Sequence, residues 1–344
     1  MQYNTLGRTG LRISRLSLGT MTFGDGTGMW ESIAGVDRKT AVDLIAAAID
    51  HGVNLVDTAD AYSEGQSEVL LGHALSKLGV DETRMLVATK VRLRTGTGQN
   101  DVGLGRSHIM RSVETSLRRL KRDHIDLFQL HDRDALVPLD ETLRVLDDLV
   151  TQGKVRHIGA CNFSAADLER AAGICTHSDR VRFASNQVYY SLAARDIEHE
   201  IVPIALANSV GLIIWGPLAG GYLSGKYSQR KDESSVTAPG RRTNLNFPPI
   251  DPAKAAPIVG ALHNIAETVG AQPAQVALAW TQGRAGISSV TIGARSTEQL
   301  LANLGSVDLA LPCELTQQLT DISAPDKPYP YWMQSLHDTD RLVP

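Results

Sequence analysis

The 344-residue sequence predicts an α/β fold of the (β/α)8 TIM-barrel class, with an N-terminal β-hairpin and long loops at the C-terminal face. Two observations carry this reading. Short apolar runs alternate eight times with stretches of helical spacing, and most of the runs are apolar on both faces, as interior strands of a parallel sheet are. No linker or shift in composition divides the chain, so residues 1–344 are expected to form one domain, with about 311–344 as a C-terminal tail or loop. A doubly wound sheet with a separate second domain is the competing architecture, and the sequence shows no boundary for it.

The hairpin is read from Tyr3 to Leu6, a Gly7-Arg8-Thr9-Gly10 turn, and Leu11 to Ser14. The barrel strands are placed at Arg15 to Leu18, Asn54 to Asp57, Leu86 to Lys90 and Ile125 to His131, then at Val155 to Ala160, Phe183 to Gln187, Leu212 to Trp215 and Val290 to Gly293. Between them, Ala41, Leu44, Ile45, Ala48 and Ile49 recur at helical spacing before a Gly52 stop, and Ser164 reads as a helix N-cap before Asp167. Three connections are long: Gly19 to Asp37, Val91 to Arg106 and Gly216 to Pro252. Each follows a strand, which puts it on the face where barrels keep their chemistry.

Composition narrows the partners. With 42% hydrophobic and 21% charged residues and a net charge of −4, the chain lacks the basic block that nucleic acid or an anionic membrane demands. A small-molecule partner is expected instead. No apolar run reaches membrane-spanning length and Met1 to Thr5 opens into polar residues, which reads as a cytoplasmic protein. Three scattered cysteines, Cys161, Cys175 and Cys313, fit a reducing compartment, and no Cys/His cluster has zinc spacing, so no metal is expected. Oligomeric state is left open.

Four ionisable residues stand where apolar runs end: Asp57, Lys90 and His131 close strands, and Tyr62 follows Asp57 in the same loop. A tyrosine with a pKa near ~10 is a poor proton donor or acceptor at neutral pH. A neighbouring ammonium lowers that pKa, a carboxylate holds the ammonium, and an imidazole hydrogen-bonds the reacting oxygen. Together such groups deliver a proton to a carbonyl oxygen as charge develops on it. Singly, each has an ordinary structural reading; only their joint placement points to catalysis.

The run from Asn54 to Ser63 that contains these residues resembles the signature of the aldo-keto reductase family, in its potassium-channel β-subunit-like and bacterial branch. Gly159-Ala160-Cys161-Asn162-Phe163-Ser164, Asn186-Gln187, Trp215-Gly216-Pro217-Leu218 through Gly225-Lys226-Tyr227, and Ile292-Gly293-Ala294-Arg295 with Gln299 and Asn303 resemble it too. The resemblance implies reversible reduction of an aldehyde or ketone to an alcohol, with Tyr62 as general acid, Lys90 and Asp57 tuning it, and His131 orienting the carbonyl.

It also implies a cofactor site for NADPH or NADP+. Trp215 would stack on the nicotinamide and Asn162 and Gln187 would bond its carboxamide, beside Cys161, where the family often has serine. Gly216, Pro217, Leu218, Gly220, Gly225 and Lys226 would lie over the pyrophosphate, with Gly19, Thr20, Met21 and Asp57 alongside. The same glycines, Gly220 to Lys226, come near a P-loop, but Tyr227 stands where the magnesium-binding Ser or Thr belongs. Gly293 leads from the last strand into a helix, Arg295 would grip a 2′-phosphate through its planar fork, and Gln299 and Asn303 would hold the adenosine. This favours NADPH, with NADH the lesser alternative. Ser296 to Gln299 also fits a capping box, which would make Gln299 a helix-end residue instead.

Two other functions compete. Potassium-channel β subunits share the pattern as regulatory partners, but usually carry Asn where this chain has His131. A barrel aldolase would use Lys90 as a Schiff base, which needs a lowered lysine pKa that Asp57 opposes. Phe23 and Trp30 in the first long loop, Arg92 and Leu93 in the second, and Trp332 in the tail are the candidate substrate-pocket walls.

Overall fold

Strands buried on both faces need hydrogen-bonding neighbours on both edges, and the eight in this chain provide them by closing on one another. The computed structural model describes residues 1–226 and 245–337; Tyr227, part of the third long loop and the end of the tail lie outside them. The chain opens with an antiparallel hairpin, β1 (Tyr3–Thr5) and β2 (Arg12–Ser14). The barrel follows as β3 (Leu16–Gly19), β4 (Leu55–Asp57), β5 (Leu86–Val91) and β6 (Ile125–Leu130), then β7 (Val155–Cys161), β8 (Ser185–Tyr189), β9 (Gly211–Trp215) and β10 (Ile287–Gly293). Every neighbour is parallel, and β10 pairs with β3 to close the ring. All eight expected strands are present, with the hairpin before them.

The hairpin covers the end where the strands begin. Leu6 and Ile13 form one buried cluster with Leu55, Leu86, Leu127 and Ile213. Gly7, at φ 51°, comes so close to the strands that a Cβ would sit 2.4 Å from the Ala184 carbonyl oxygen, so only glycine fits. At the other end, each long loop finishes at a helix start. Asp37 caps helix Arg38–Asp50, Gly105 precedes Arg106–Leu120, and Asp251 caps Pro252–Val269. Ser164 accepts the Asp167 N–H as its spacing predicts.

Three differences have physical causes. The sixth barrel strand runs Ser185–Tyr189, two residues late, because Phe183 packs edge-on against Phe163 outside the ladder. The stretch after 311 contains helix Cys313–Ile322, which buries Leu319 completely, so it is not a bare tail. A short helix, Met29–Ile33, stands inside the first long loop.

The loop that carries Tyr62 is held from behind. Arg119 reaches in from helix Arg106–Leu120, and its Nη1 donates to the Asp60 carbonyl at 3.1 Å and to Glu68 Oε2 at 3.2 Å. Gly65 makes room: a Cβ there would lie 2.2 Å from the guanidinium carbon. Thr89 donates to the other Glu68 oxygen at 2.7 Å, linking this anchor to β5 one residue before Lys90. The Asp60 carboxyl is buried in the same place, with Ser112 and the Ala61 N–H as its polar neighbours. Burial, then the charge of Glu68, push its pKa up to about 8, against weaker pulls from Ser112 and Arg119.

Because the folded value lies above the unfolded one, the folded chain holds the proton more tightly. Stability is fully present below the unfolded value, 3.8, and drains away as pH rises toward about 8. Asp60→Asn should remove that slope and leave the variant more stable than the parent at alkaline pH by about 1–3 kcal/mol. Urea unfolding across the window checks this; a variant with the parent's pH dependence would contradict it.

Candidate active site

The barrel register fixes the centre of the site. Asp57 pairs across β4 and β5 with Ala88, and Lys90 stands beside Gln129 of β6, which in turn stands beside Gly159 of β7. Lys90 is fully buried, and all three of its N–H bonds are used. One makes a short ion pair with Asp57 Oδ1, one goes to the Thr58 carbonyl at 2.9 Å, and one goes to the Tyr62 hydroxyl oxygen at 3.1 Å. The second carboxylate oxygen of Asp57 accepts from Gln187 at 2.8 Å and from Gln129 at 3.0 Å. Both carboxylate oxygens of Asp57 thereby have donors.

Tyr62 lies between two rings, edge-on to His131 and to Trp30, each 5.6 Å away by centroid. A left-handed turn at Ser63, Glu64 and Gly65 brings it there, and Ser63 Oγ fastens that turn to the Phe23 carbonyl at 2.8 Å. The charge states are consistent with one ionised pair flanked by neutral groups. Burial works against the Lys90 ammonium, but Asp57, Tyr62 and Cys161 outweigh it and raise its pKa. For Tyr62 the expectation of a lowered value is not met. Burial raises it by more than Lys90 lowers it, so the phenol keeps its proton. Burial, with Lys90 and Arg92 nearby, holds His131 well below its ordinary value and therefore neutral.

A cavity of about 470 Å³ opens above these groups. Its wall includes Tyr62, His131, Trp30 and Leu93, with Gly19, Met21, Asp57, Cys161, Asn162 and Gln187. Trp215, Gly216, Pro217, Leu218, Gly220, Lys226, Gly293, Arg295, Gln299 and Asn303 line it too. Asn162 ties His131 to Trp215. Its Nδ2 donates to the His131 carbonyl at 3.1 Å, and its Oδ1 accepts from the Trp215 indole at 3.0 Å. Trp215 is stacked with Tyr189 at 4.8 Å and with Phe247 at 5.6 Å.

Besides Lys90, which is fully buried behind Tyr62, five sequence-predicted residues fall outside the wall. Phe23 is completely buried in the hydrophobic core. Thr20 is buried too, its hydroxyl donating to the Asp57 carbonyl and paired with Ser67. Arg92, whose Nε is buried, is not part of the wall, and Leu93 takes that position. Gly225 is packed against His263. Trp332 sits on helix Tyr331–Ser335, which Tyr331 fastens to Glu200 at 2.9 Å, and it contacts Tyr329 rather than the cavity.

Several residues had no reading in the sequence. Met29 and Ile33 line the cavity from the short helix, and Phe247 from the third loop. Gln129 is fully buried and bonded to Asp57. A polar residue inside the apolar run Asp126-Leu127-Phe128-Gln129-Leu130, two places before His131, was the available signal, because strand alternation puts the two on one side.

Among the described residues no helix is long and apolar enough to cross a membrane, and no His/Cys/Asp/Glu group could hold a metal ion. Residues 15–324 match the Aldo/keto reductase family. The chain is similar to a probable voltage-gated potassium channel subunit beta of Arabidopsis thaliana, 33% identical over 313 residues that cover 90% of this chain and 92% of that one. It is similar to the uncharacterized oxidoreductase YrpG of Bacillus subtilis (strain 168), 34% identical over 330 residues, covering 94% and 96%. Versiconal hemiacetal acetate reductase of Aspergillus parasiticus is 31% identical over 358 residues, covering 99% and 100%. With a family match across nearly its whole length and oxidoreductases among such relatives, the chain belongs to the aldo/keto reductase family and is an oxidoreductase.

Proposed function

We propose that the protein reduces an aldehyde or ketone to its alcohol, reversibly, with NADPH as the reductant and Tyr62 as the proton donor. The observation that carries this is the Tyr62 hydroxyl, protonated, 3.1 Å from a fully bonded Lys90 ammonium and beside a neutral His131 in one cavity wall. Lys90 donates to the phenolic oxygen, which leaves the phenol hydrogen free for a carbonyl oxygen in the cavity. Neutral His131 can donate to the same oxygen. As that oxygen gains charge, Tyr62 gives up its proton, and Lys90 stabilises the phenolate left behind. Asp57 keeps Lys90 charged and aimed. A Schiff-base role for Lys90 is disfavoured, since its pKa is raised and its three N–H bonds are committed.

The family uses NAD(P)H, and the cavity fits such a group. Gly216, Gly220 and Gly221 line it with positive φ, giving a backbone cradle without Cβ atoms, and Lys226 and Arg295 bring positive charge to the same wall. When bound, the nicotinamide supplies the hydride. Asn162 and Gln187 would hold its carboxamide and Trp215 its ring, with Cys161 beside them. Gly216, Pro217, Leu218 and Gly220 would hold the pyrophosphate, with Gly293 and Asn303 toward the adenosine.

Arg295 supports NADPH over NADH. Its Nη2 donates to the Ser32 and Ile33 carbonyls, both at 3.0 Å, and no other side-chain nitrogen of the fork has a partner among the described residues. The rest of the guanidinium is available to a 2′-phosphate. Gln299 Oε1 accepts the Arg295 N–H at 2.9 Å, and Ser296 caps the helix. Gln299 therefore shapes this helix start in addition to lining the cavity.

Tyr62→Phe should lower kcat by roughly 10²- to 10⁴-fold while the Kd for NADPH stays within about twofold. Stopped-flow turnover with an aromatic aldehyde, paired with cofactor titration, checks this; a variant that kept most of its rate would overturn the mechanism. Arg295→Ala should raise the Kd for NADPH by about 10- to 100-fold and that for NADH far less. Equal effects on both cofactors would refute the 2′-phosphate role.

A further inference from the structure

The acceptor that Gln187 uses is also used by Gln129. Both amides donate to Oδ2 of Asp57, from different strands, but only Gln187 lines the cavity. Gln129 lies beneath the floor, fully buried, between Lys90 of β5 and Gly159 of β7 in the barrel register. Glycine is what the neighbouring strand can offer there: a Cβ on Gly159 would come within 3.1 Å of Gln129 Cγ and 2.5 Å of Ser185 Oγ. The Gln129 carbonyl oxygen faces the Cys161 thiol at 3.7 Å, a weak donor that fixes which end of the amide is nitrogen. The thiol itself is held protonated by burial.

We propose that Gln129 is a positioning residue for proton transfer: it holds the Asp57 carboxylate through Oδ2, and so keeps Lys90 aimed at Tyr62, whether or not Gln187 is engaged elsewhere. This rests on the reading of Tyr62 as proton donor and of Gln187 as a carboxamide partner. A bound carboxamide can reach Gln187 through its second N–H or its side-chain oxygen, and in doing so can turn the amide that donates to Asp57. Gln129 cannot be drawn away in that manner, because it touches neither the cavity nor anything in it. The titratable groups that meet at this layer are Asp57, Lys90, Tyr62 and Cys161, with His131 two residues further on, just past the strand's end. Of these, only Asp57 receives the Gln129 N–H.

Two variants test the role. Gln129→Met keeps the length and removes the donor. Losing one charge-assisted hydrogen bond should lower kcat by about 10- to 100-fold, with the KM for NADPH and for the carbonyl within about threefold. Gln129→Glu gives a signature that a mere packing role would not: a protonated carboxyl can still donate to Asp57, whereas a carboxylate repels it. Its rate should approach the parent's at acid pH and fall away as the new carboxyl ionises. That profile decides the matter even if Gln129→Met fails to fold.

A Gln129→Met enzyme with the parent's kcat, or a Gln129→Glu profile superimposed on the parent's, would overturn the proposal. Tyr62→Phe measured alongside separates the two ideas. If it is inactive while both Gln129 variants behave as the parent, only the positioning role fails. If Tyr62→Phe turns over normally, both fall together.

Discussion

The buried ion pair between Asp57 and Lys90 is the interaction around which the site is built. Burying two charges is costly, and their attraction offsets that cost only when the remaining donors and acceptors are satisfied. Here they are. The ammonium spends its N–H bonds on Asp57, the Thr58 carbonyl and Tyr62, and the carboxylate receives two amides on the oxygen that Lys90 leaves free. Breaking such a pair from one side generally costs about 3–5 kcal/mol, because a lone buried charge remains. The barrel makes the arrangement possible by bringing β4, β5, β6 and β8 within hydrogen-bond reach of one carboxylate.

Neutral groups around that pair give it a use. Tyr62 keeps its proton because burial outweighs the ammonium beside it, and His131 stays uncharged because burial, then the charges of Lys90 and Arg92, disfavour its cation. The resulting cluster can transfer a proton without any group first having to change charge. Asn162 then joins this proton end to the ring end by bonding both the His131 carbonyl and the Trp215 indole. Arg295 makes a second link. By holding the carbonyls of Ser32 and Ile33 it braces the short helix that presents Trp30 to Tyr62.

Much of this was readable in the sequence, for a physical reason. A charged residue at the end of a two-face apolar strand has few places to go except the barrel mouth, so Asp57, Lys90 and His131 announce both the strand ends and the site. Strand identities followed from burial, and the ends of the long loops from helix-start chemistry at Asp37 and Asp251. What was not readable depends on loop paths. Phe23 and Trp30 sit in the same loop and differ little by sequence, yet one is core and the other lines the cavity, because Trp30 is carried on a five-residue helix that begins after Phe23. Net pKa direction was equally hidden. Proximity of Lys90 to Tyr62 was foreseeable, whereas the degree of burial that reverses its effect was not. Gln129, Arg119 and Asp60 act through contacts between distant elements that no local spacing encodes.

The central claim is a statement about charge: one ionised pair, with a protonated phenol and a neutral imidazole against it. The most direct measurement is an NMR titration of the protein labelled at the tyrosine phenolic carbon and the histidine ring nitrogens, with Tyr62→Phe used for assignment. Tyr62 is expected to remain protonated beyond the ordinary tyrosine value of 10.0, and His131 to stay neutral to well below the ordinary 6.5. A Tyr62 signal that ionises below its ordinary value, or a His131 that titrates at its own, would contradict it.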